Sequence, residues 1–364
     1  MEFSLNLKKG PEALETEVLK SDLCCVCGAC MGLCPYFKAM HERVVLIEPC
    51  GLTEGRCYDI CPRTKVDMEA LNQEVFGRPR DDFVLGTHSG IHMAQAKDTR
   101  VKRSGQYGGT VSALLIYALK KKLIDGAILA GNSSRYPLLP EPVLAKSPED
   151  VLACAGSKYT ACPSLAILDK SLRECENLAF VGRPCQVTAL RKRISIEPAL
   201  GQKIPLIIGL FCMWSLNYRD LAGHLKDQID LSRARRFDIP YNKFIVYLGR
   251  EKSELDFEPI KNMHRHTCDI CYDFAGELAD ISVGSTEWKN TWNTLIPRTD
   301  RGEKLVSRAK RAGVITVKPF PQNRIELLRT ASLNKKKRVS EALSVENEPY
   351  LKISDAEKDW IRKK

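Results

Sequence analysis

What most constrains this chain is where its cysteines stand. Fifteen occur in 364 residues, and eight of them lie between Cys24 and Cys61. Cys24, Cys27, Cys30 and Cys34, followed by Pro35, spell C-x2-C-x2-C-x3-C-P. In that spacing a tight loop wraps three thiolates around one iron-sulfide cube, and the fourth cysteine reaches across to a second cluster. A second group is therefore expected downstream, and Cys50, Cys57 and Cys61 with Pro62 supply it. The expected wiring is Cys24, Cys27, Cys30 and Cys61 on one cluster, with Cys34, Cys50 and Cys57 on the other. The second group is stretched, because regular spacing would need cysteines where Gly51 and Glu54 stand. Its remaining ligand is Cys25, the Glu54 carboxylate, or nothing, and the last case gives a three-iron or labile cluster. Structural zinc is the rival, but zinc sites rarely need this run. Isolated thiols such as Cys154 and Cys175 are read as small buried hydrophobes.

Length and composition fit two to three domains of an ordinary globular protein. No apolar run has the length of a membrane helix, and the stretch from Met1 lacks a signal-peptide layout, so a cytoplasmic chain, not integral to the membrane, is expected. That compartment keeps thiols reduced, which favours metal over disulfides as the reason for so many cysteines. The formal net charge of +11 is spread along the chain without a nucleic-acid motif, so no nucleic-acid partner is expected. It suits acidic partners or a phosphate-bearing cofactor better. The Lys335-Lys336-Lys337-Arg338 run is read as solvated surface.

Beyond a polar stretch, glycines 105, 108 and 109 precede a helical pattern through Val111, Leu114, Leu115 and Ala118. Bare amides at such a helix start can hold a phosphate, though a Gly-rich turn is often only a turn. Ala127 to Ala130 is a short apolar strand. Two more strands, 178–182 and 205–211, lead into Cys185 and Cys212, and Cys268 and Cys271 precede a third, 278–284. Strand ends of an α/β sheet gather ligands, so these four cysteines from three segments could hold one further cluster. A redox dithiol is the alternative for Cys268 and Cys271.

At this point the sequence resembles the beta subunits of coenzyme F-420 (F420) hydrogenases and dehydrogenases. The carriers are Ser-Gly-Gln-Tyr-Gly-Gly-Thr at 104–110, Gly-Ser-Lys-Tyr-Thr at 156–160, Gly-Arg-Pro-Cys-Gln at 182–186, Gly-Leu-Phe-Cys at 209–212, Cys268 to Gly284, and Arg298 to Glu303. The resemblance implies an α/β (α+β) flavin-binding core, an N-terminal ferredoxin-like two-cluster domain and a helical or charged C-terminal segment. The implied cofactors are FAD and two or three 4Fe-4S clusters, with F420 as hydride-exchanging substrate. Ser104, Gly105, Gln106, Gly108, Gly109, Thr110, Ser157, Lys158 and Tyr159 would line the flavin, and Cys185, Cys212, Cys268 and Cys271 would bind the core cluster. Lys158 could contact a flavin carbonyl or phosphate. No side-chain acid, base or nucleophile is required, so none is named as catalytic. Implied partners are a hydrogenase, formate dehydrogenase or heterodisulfide-reductase-like subunit, with ferredoxin as another donor. The alternative is a ferredoxin-linked flavin reductase or relay subunit acting without F420. Expected boundaries are 1–77 for the cluster module, 78–177 and 178–335 for the two parts of the core, and 336–364 for a charged tail or helix.

Overall fold

The computed structural model describes residues 9–240, 242–286, 288–343 and 350–363, so the stretch opening at Met1 lies outside the described residues through residue 8. An eight-stranded mixed sheet forms the frame. In chain order its strands are β1 (His92–Ala96), β2 (Gly126–Asn132), β3 (Pro140–Ala145), β4 (Leu178–Gly182), β5 (Leu206–Leu210), β6 (Ile281–Ser285), β7 (Asn293–Pro297) and β8 (Ile315–Pro319). Their order across the sheet is β8-β1-β7-β6-β5-β4-β2-β3. The four middle strands β6, β5, β4 and β2 run parallel, with Val181 opposite Ile208 and Ile208 opposite Ile281. Both edges are antiparallel. Continuous apolar runs such as Ala179-Phe180-Val181 and Ile207-Ile208 suit parallel strands, because helices cover both of their faces.

Helix α1 (Thr110–Lys120) follows the glycine turn as its apolar period predicts, and buries Ala113, Leu114, Leu115 and Ala118 against the sheet. Gly109 stands at φ 66°, and a Cβ there would lie 2.7 Å from the Val101 carbonyl oxygen, so only glycine fits this turn. Helix α2 (Pro184–Ile196) leaves the end of β4, and α3 (Asp300–Arg311) packs on α1. The Arg298-to-Glu303 motif belongs to this scaffold. Buried Arg298 donates to the carbonyls of Leu85 (2.7 Å) and Thr87 (3.0 Å), while Asp280 accepts from the Ile207 amide (2.7 Å), Arg191 (3.2 Å) and Arg301 (2.7 Å).

A smaller antiparallel sheet, Arg236–Asp238, Lys243–Leu248 and Glu251–Asp256, carries its own core on Phe244, Val246 and Leu225. The cysteine-rich N-terminal part is built of short helices and the hairpin Phe37–Met40/Arg43–Leu46, around Leu14, Val18, Val26 and Phe37. It is stitched to the core through its own carbonyls. Thr267 donates to Leu23 (2.5 Å), Arg265 to Cys24 (3.0 Å), Arg183 to Cys25 (3.3 Å), and the Leu165 amide to Cys27 (3.0 Å).

Helix α4 (Gln322–Leu343) runs unbroken across residues 335–336, and α5 (Asp355–Arg362) follows the short strand Leu351–Lys352, which pairs in parallel with Val66–Asp67. The reading of Lys335 to Arg338 as solvated surface is corrected here. Ser332, Lys335, Lys336 and Val339 fall at i, i+3, i+4 and i+7 and form the buried stripe of α4, with Lys335 1% and Lys336 0% exposed. Lys336 pairs with Glu277 (2.6 Å) and lies over the Tyr272 ring (3.7 Å), while Glu357 of α5 joins Arg80 and Tyr272. Burying two adjacent ammoniums is tolerable only because acceptors await them, and no sequence pattern displays those acceptors.

Candidate functional site

The thiols fall into three neighbouring groups. Burial pushes Cys30 well above its ordinary value, and nearby Cys24, Cys61 and Cys57 push it further. Cys61, pushed up to about 11 by burial, also feels Cys24, and Cys27 feels Cys61 and Cys30. Cys24, Cys27, Cys30 and Cys61 are thereby brought together. Cys57, also pushed up to about 11 by burial, is raised further by Cys34 and Cys50. The third group joins Cys185 to Cys271, Cys212 to Cys268 and Cys185, and Cys268 to Cys271. Among the described residues no three of His, Cys, Asp or Glu converge as ligands of one metal ion do. Sulfurs around an iron-sulfur cube stand farther apart than that.

Does this donor set fit clusters? Thiols that resist ionisation in the metal-free site lose their protons when a metal binds, and the third group, with Cys185, Cys268 and Cys271 buried, excludes water most, whereas Cys34 and Cys50 of the second are partly exposed. Amides already point at the sulfurs: Val26 N–H donates to Cys24 Sγ (3.4 Å) and Ser215 N–H to Cys268 Sγ (3.3 Å). Cations surround the third group. Burial opposes ionisation of Cys271, but Lys335 and Arg63 outweigh it and hold that thiol below its ordinary value. Arg183 faces Cys185, Cys212, Cys25 and Cys268. These features fit iron-sulfur chemistry in the first and third groups, while the second offers three neighbouring thiols.

Cys25 is placed away from the stretched second group. Its thiol shares side-chain hydrogen bonds with Cys185 and Cys27, so it lies between the third group and the first. Of the alternatives for the second group's fourth ligand, that position disfavours Cys25.

Three of the flavin candidates line a cavity and the others do not. A cavity of about 270 Å³ is lined by Ser104, Ser157 and Lys158 together with Arg103, Arg235 and Arg236. Four cations around one cavity suit an anionic, phosphate-bearing ligand. Lys158 Nζ folds back on its own loop, donating to the carbonyls of Cys154 (3.0 Å) and Gly156 (2.9 Å), and burial lowers its pKa to about 8. Gln106 donates to the Tyr159 hydroxyl (2.8 Å) and to Asp238, and accepts from the Ser157 amide (3.1 Å). Gly105, Gly108 and Gly109 form the tight turn; a Cβ on Gly108 would lie 2.6 Å from Asn293 Oδ1, the atom that accepts from the Thr110 amide (3.1 Å). The Thr110 hydroxyl is buried with no partner among the described residues.

Cavity and third group are neighbours. The Tyr159 carbonyl accepts from Leu216 N–H (2.7 Å) and the Ser215 hydroxyl (3.3 Å), and Ser215 N–H is the donor to Cys268 Sγ. The residues that sequence reasoning left out are Arg235, Arg236 and Asp238, on or just before a strand with no motif, and the cations Arg63, Arg183 and Lys335. Arg183 lies in the Gly-Arg-Pro-Cys-Gln motif two residues before Cys185, and Arg63 two residues after Cys61, so sequence proximity to a ligand was a usable signal. Lys335 had only its place on the helical stripe.

Comparison with known proteins decides the lineage. Residues 91–169 match the N-terminal region, and residues 175–323 the C terminus, of the coenzyme F420 hydrogenase/dehydrogenase beta subunit. The coenzyme F420 hydrogenase subunit beta of Methanothermobacter thermautotrophicus is 32% identical over 275 residues, 73% of this chain and 98% of the relative. The chain belongs to this family. A subunit of the F(420)H(2) dehydrogenase of Methanosarcina mazei is 30% identical over 331 residues, 84% of this chain and 87% of the relative. Among solved structures, a chain of the F420-reducing NiFe hydrogenase complex from Methanosarcina barkeri superposes with a TM-score of 0.68 at 28% identity, covering 74% of this chain and 95% of that one. The two matched family regions begin after Cys61, so the N-terminal thiol groups lie outside them.

Proposed function

We propose that this chain is an oxidoreductase subunit passing electrons between F420 and a partner redox protein, by way of FAD in the cavity and iron-sulfur clusters in the three thiol groups. The observation that carries this reading is continuity. From Lys158 on the cavity, the adjacent Tyr159 leads through Ser215 to Cys268; the third group leads through Cys185 and Cys25 to Cys27; Cys30 leads to Cys57. Cys34 and Cys50, at the far end, are partly exposed.

A flavin supplies the exchange between two-electron hydride transfer and one-electron transfer. The chain's own residues do the rest. Arg103, Arg235 and Arg236 hold the anionic part, and the Gln106-Tyr159-Asp238 network ties the Ser157 loop to the small sheet. The relatives described above carry F420 in their names as hydrogenase and dehydrogenase subunits, which supports it as the hydride partner here. Exit at the second group is supported by its exposure and by Tyr36, Met40, Ile47 and Leu52, exposed apolar side chains of the same stretch. A hydrogenase, formate dehydrogenase or heterodisulfide-reductase-like subunit is the proposed partner. No helix among the described residues is long and apolar enough to cross a membrane.

The test is anaerobic purification, with iron and flavin assayed, followed by addition of reduced F420. Flavin bleaching with iron sufficient for three clusters is the expected result. If reduced ferredoxin bleaches the flavin while F420 does not, the scaffold stands and the substrate is replaced by the ferredoxin-linked alternative.

A further inference from the structure

Lys335 is placed differently from the buried lysine next to it on α4. Its neighbour Lys336 is neutralised by Glu277 at 2.6 Å, and Arg80, on the same network, pairs with Glu277 and Glu357. Lys335 has only carbonyl oxygens: that of Cys212 at 2.6 Å and that of Asp273 at 2.9 Å. The Asp273 carboxylate is turned to the amides of Gly276 and Glu277, both at 2.8 Å. Among the described residues no carboxylate lies in ion-pair contact with Lys335, and the side chain is 1% exposed. An unpaired ammonium held out of water is costly unless a negative charge stands near it. Its two carbonyl partners belong to one candidate ligand, Cys212, and to the residue two beyond another, Cys271. The negative charge that this geometry awaits is that of the thiolates and the cluster they hold.

We propose that Lys335 sets the reduction potential of the core cluster, its fixed positive charge favouring the reduced form. This rests on the reading of Cys185, Cys212, Cys268 and Cys271 as cluster ligands. Adding one electron to the thiolate-bound cluster adds one negative charge, and no bond or proton need move. An ammonium lodged beside two ligand segments attracts the more negative state more strongly, and the dry surroundings weaken that attraction little. Lys335 is thus a positioning and tuning residue rather than a catalytic one. Arriving on α4, it ties the potential of a site built by three other segments to the docking of this helix.

The experiment is an equilibrium redox titration of the whole protein followed by electron paramagnetic resonance, comparing wild type, Lys335→Met and Lys335→Gln. A Cys212→Ala variant identifies the core signal as the one it removes, and iron and flavin content report folding. With samples poised at the wild-type core midpoint, the ratio of reduced to oxidised core cluster is expected to fall about tenfold in both lysine variants, equivalent to about 59 mV for a one-electron couple. An unchanged ratio in both overturns the proposal. So does a fall in Lys335→Met alone, because glutamine can still donate to the carbonyls and a role in hydrogen bonding would spare it. Loss of the core signal from both variants, with flavin and the other clusters retained, also overturns it, by making Lys335 a structural requirement. If wild type has no signal that Cys212→Ala removes, the reading of the core thiols falls first and the proposal with it.

Discussion

Residue by residue, the cysteines were the legible part of the site and the cations were not. Spacing alone assigns Cys24, Cys27, Cys30 and Cys61 to one set, and the structure brings those four together. Spacing could not place Cys25, because a residue adjacent to a ligand may face either way; its partners turn out to be Cys185 and Cys27. Lys158 illustrates the same limit on the flavin side. Its motif brings it to the cavity, but burial lowers its pKa to about 8 and carbonyls occupy its ammonium. The charge is present below that value and lost above it, so the attraction of the cavity for an anion weakens as pH rises through about 8. FAD binding, measured by fluorescence quenching across pH 6 to 10, is expected to weaken by about tenfold over that step, one charge interaction of about 1.4 kcal/mol. Lys158→Met should bind with the weaker affinity throughout and show no step, and a step persisting in that variant would assign it to another group.

Among the elements, the parallel strands and α1 follow from apolar runs and helical period, because burial on two faces or one stripe writes itself into the sequence. The C-terminal helices do not, because their buried stripe is made of charges whose partners lie far along the chain. Asp82 shows how they are held: it accepts from the Val84 amide (2.8 Å) and pairs with Arg329 of α4 (2.6 Å). Burial opposes its ionisation, but hydrogen bonds from His88, Arg329 and the Val84 amide prevail and keep the carboxyl well below its ordinary value. A depressed carboxylate contributes stability that is present above its unfolded value and lost as pH falls through the folded one. Asp82→Asn should therefore lower the thermal midpoint at neutral pH, and the gap from wild type should shrink on acidification below about pH 4, where the unfolded carboxyl takes up a proton while the folded one stays ionised. Glu357→Ala tests α5 in the same way. It strips Arg80 and Tyr272 of a buried acceptor, at an expected cost of about 3 kcal/mol read from denaturant unfolding, against near neutrality for an exposed change such as Asp355→Ala on the same helix.

For the molecule as a whole, the decisive feature is that the N-terminal thiols are not a tethered module. Four hydrogen bonds from the core seize the carbonyls of residues 23–27, the segment that carries Cys24, Cys25 and Cys27. The first group is therefore fixed relative to the third, and Cys25 fills the space between them. On the function proposed above, electron transfer through such an arrangement needs no domain motion, and position sets its proposed order: cavity, third group, first group, second group. Removing one station should divide the chain of events at that station. Cys30→Ala takes a thiol from the first group, the one that also faces Cys57. With reduced F420 added anaerobically, this variant should still bleach its flavin and reduce the core cluster, while rapid-freeze resonance spectra show the second group's signal slowed by about tenfold or more relative to wild type. A second group reduced as fast as before would mean that electrons reach it by a path that bypasses the first, and the linear order drawn from these contacts would have to be abandoned.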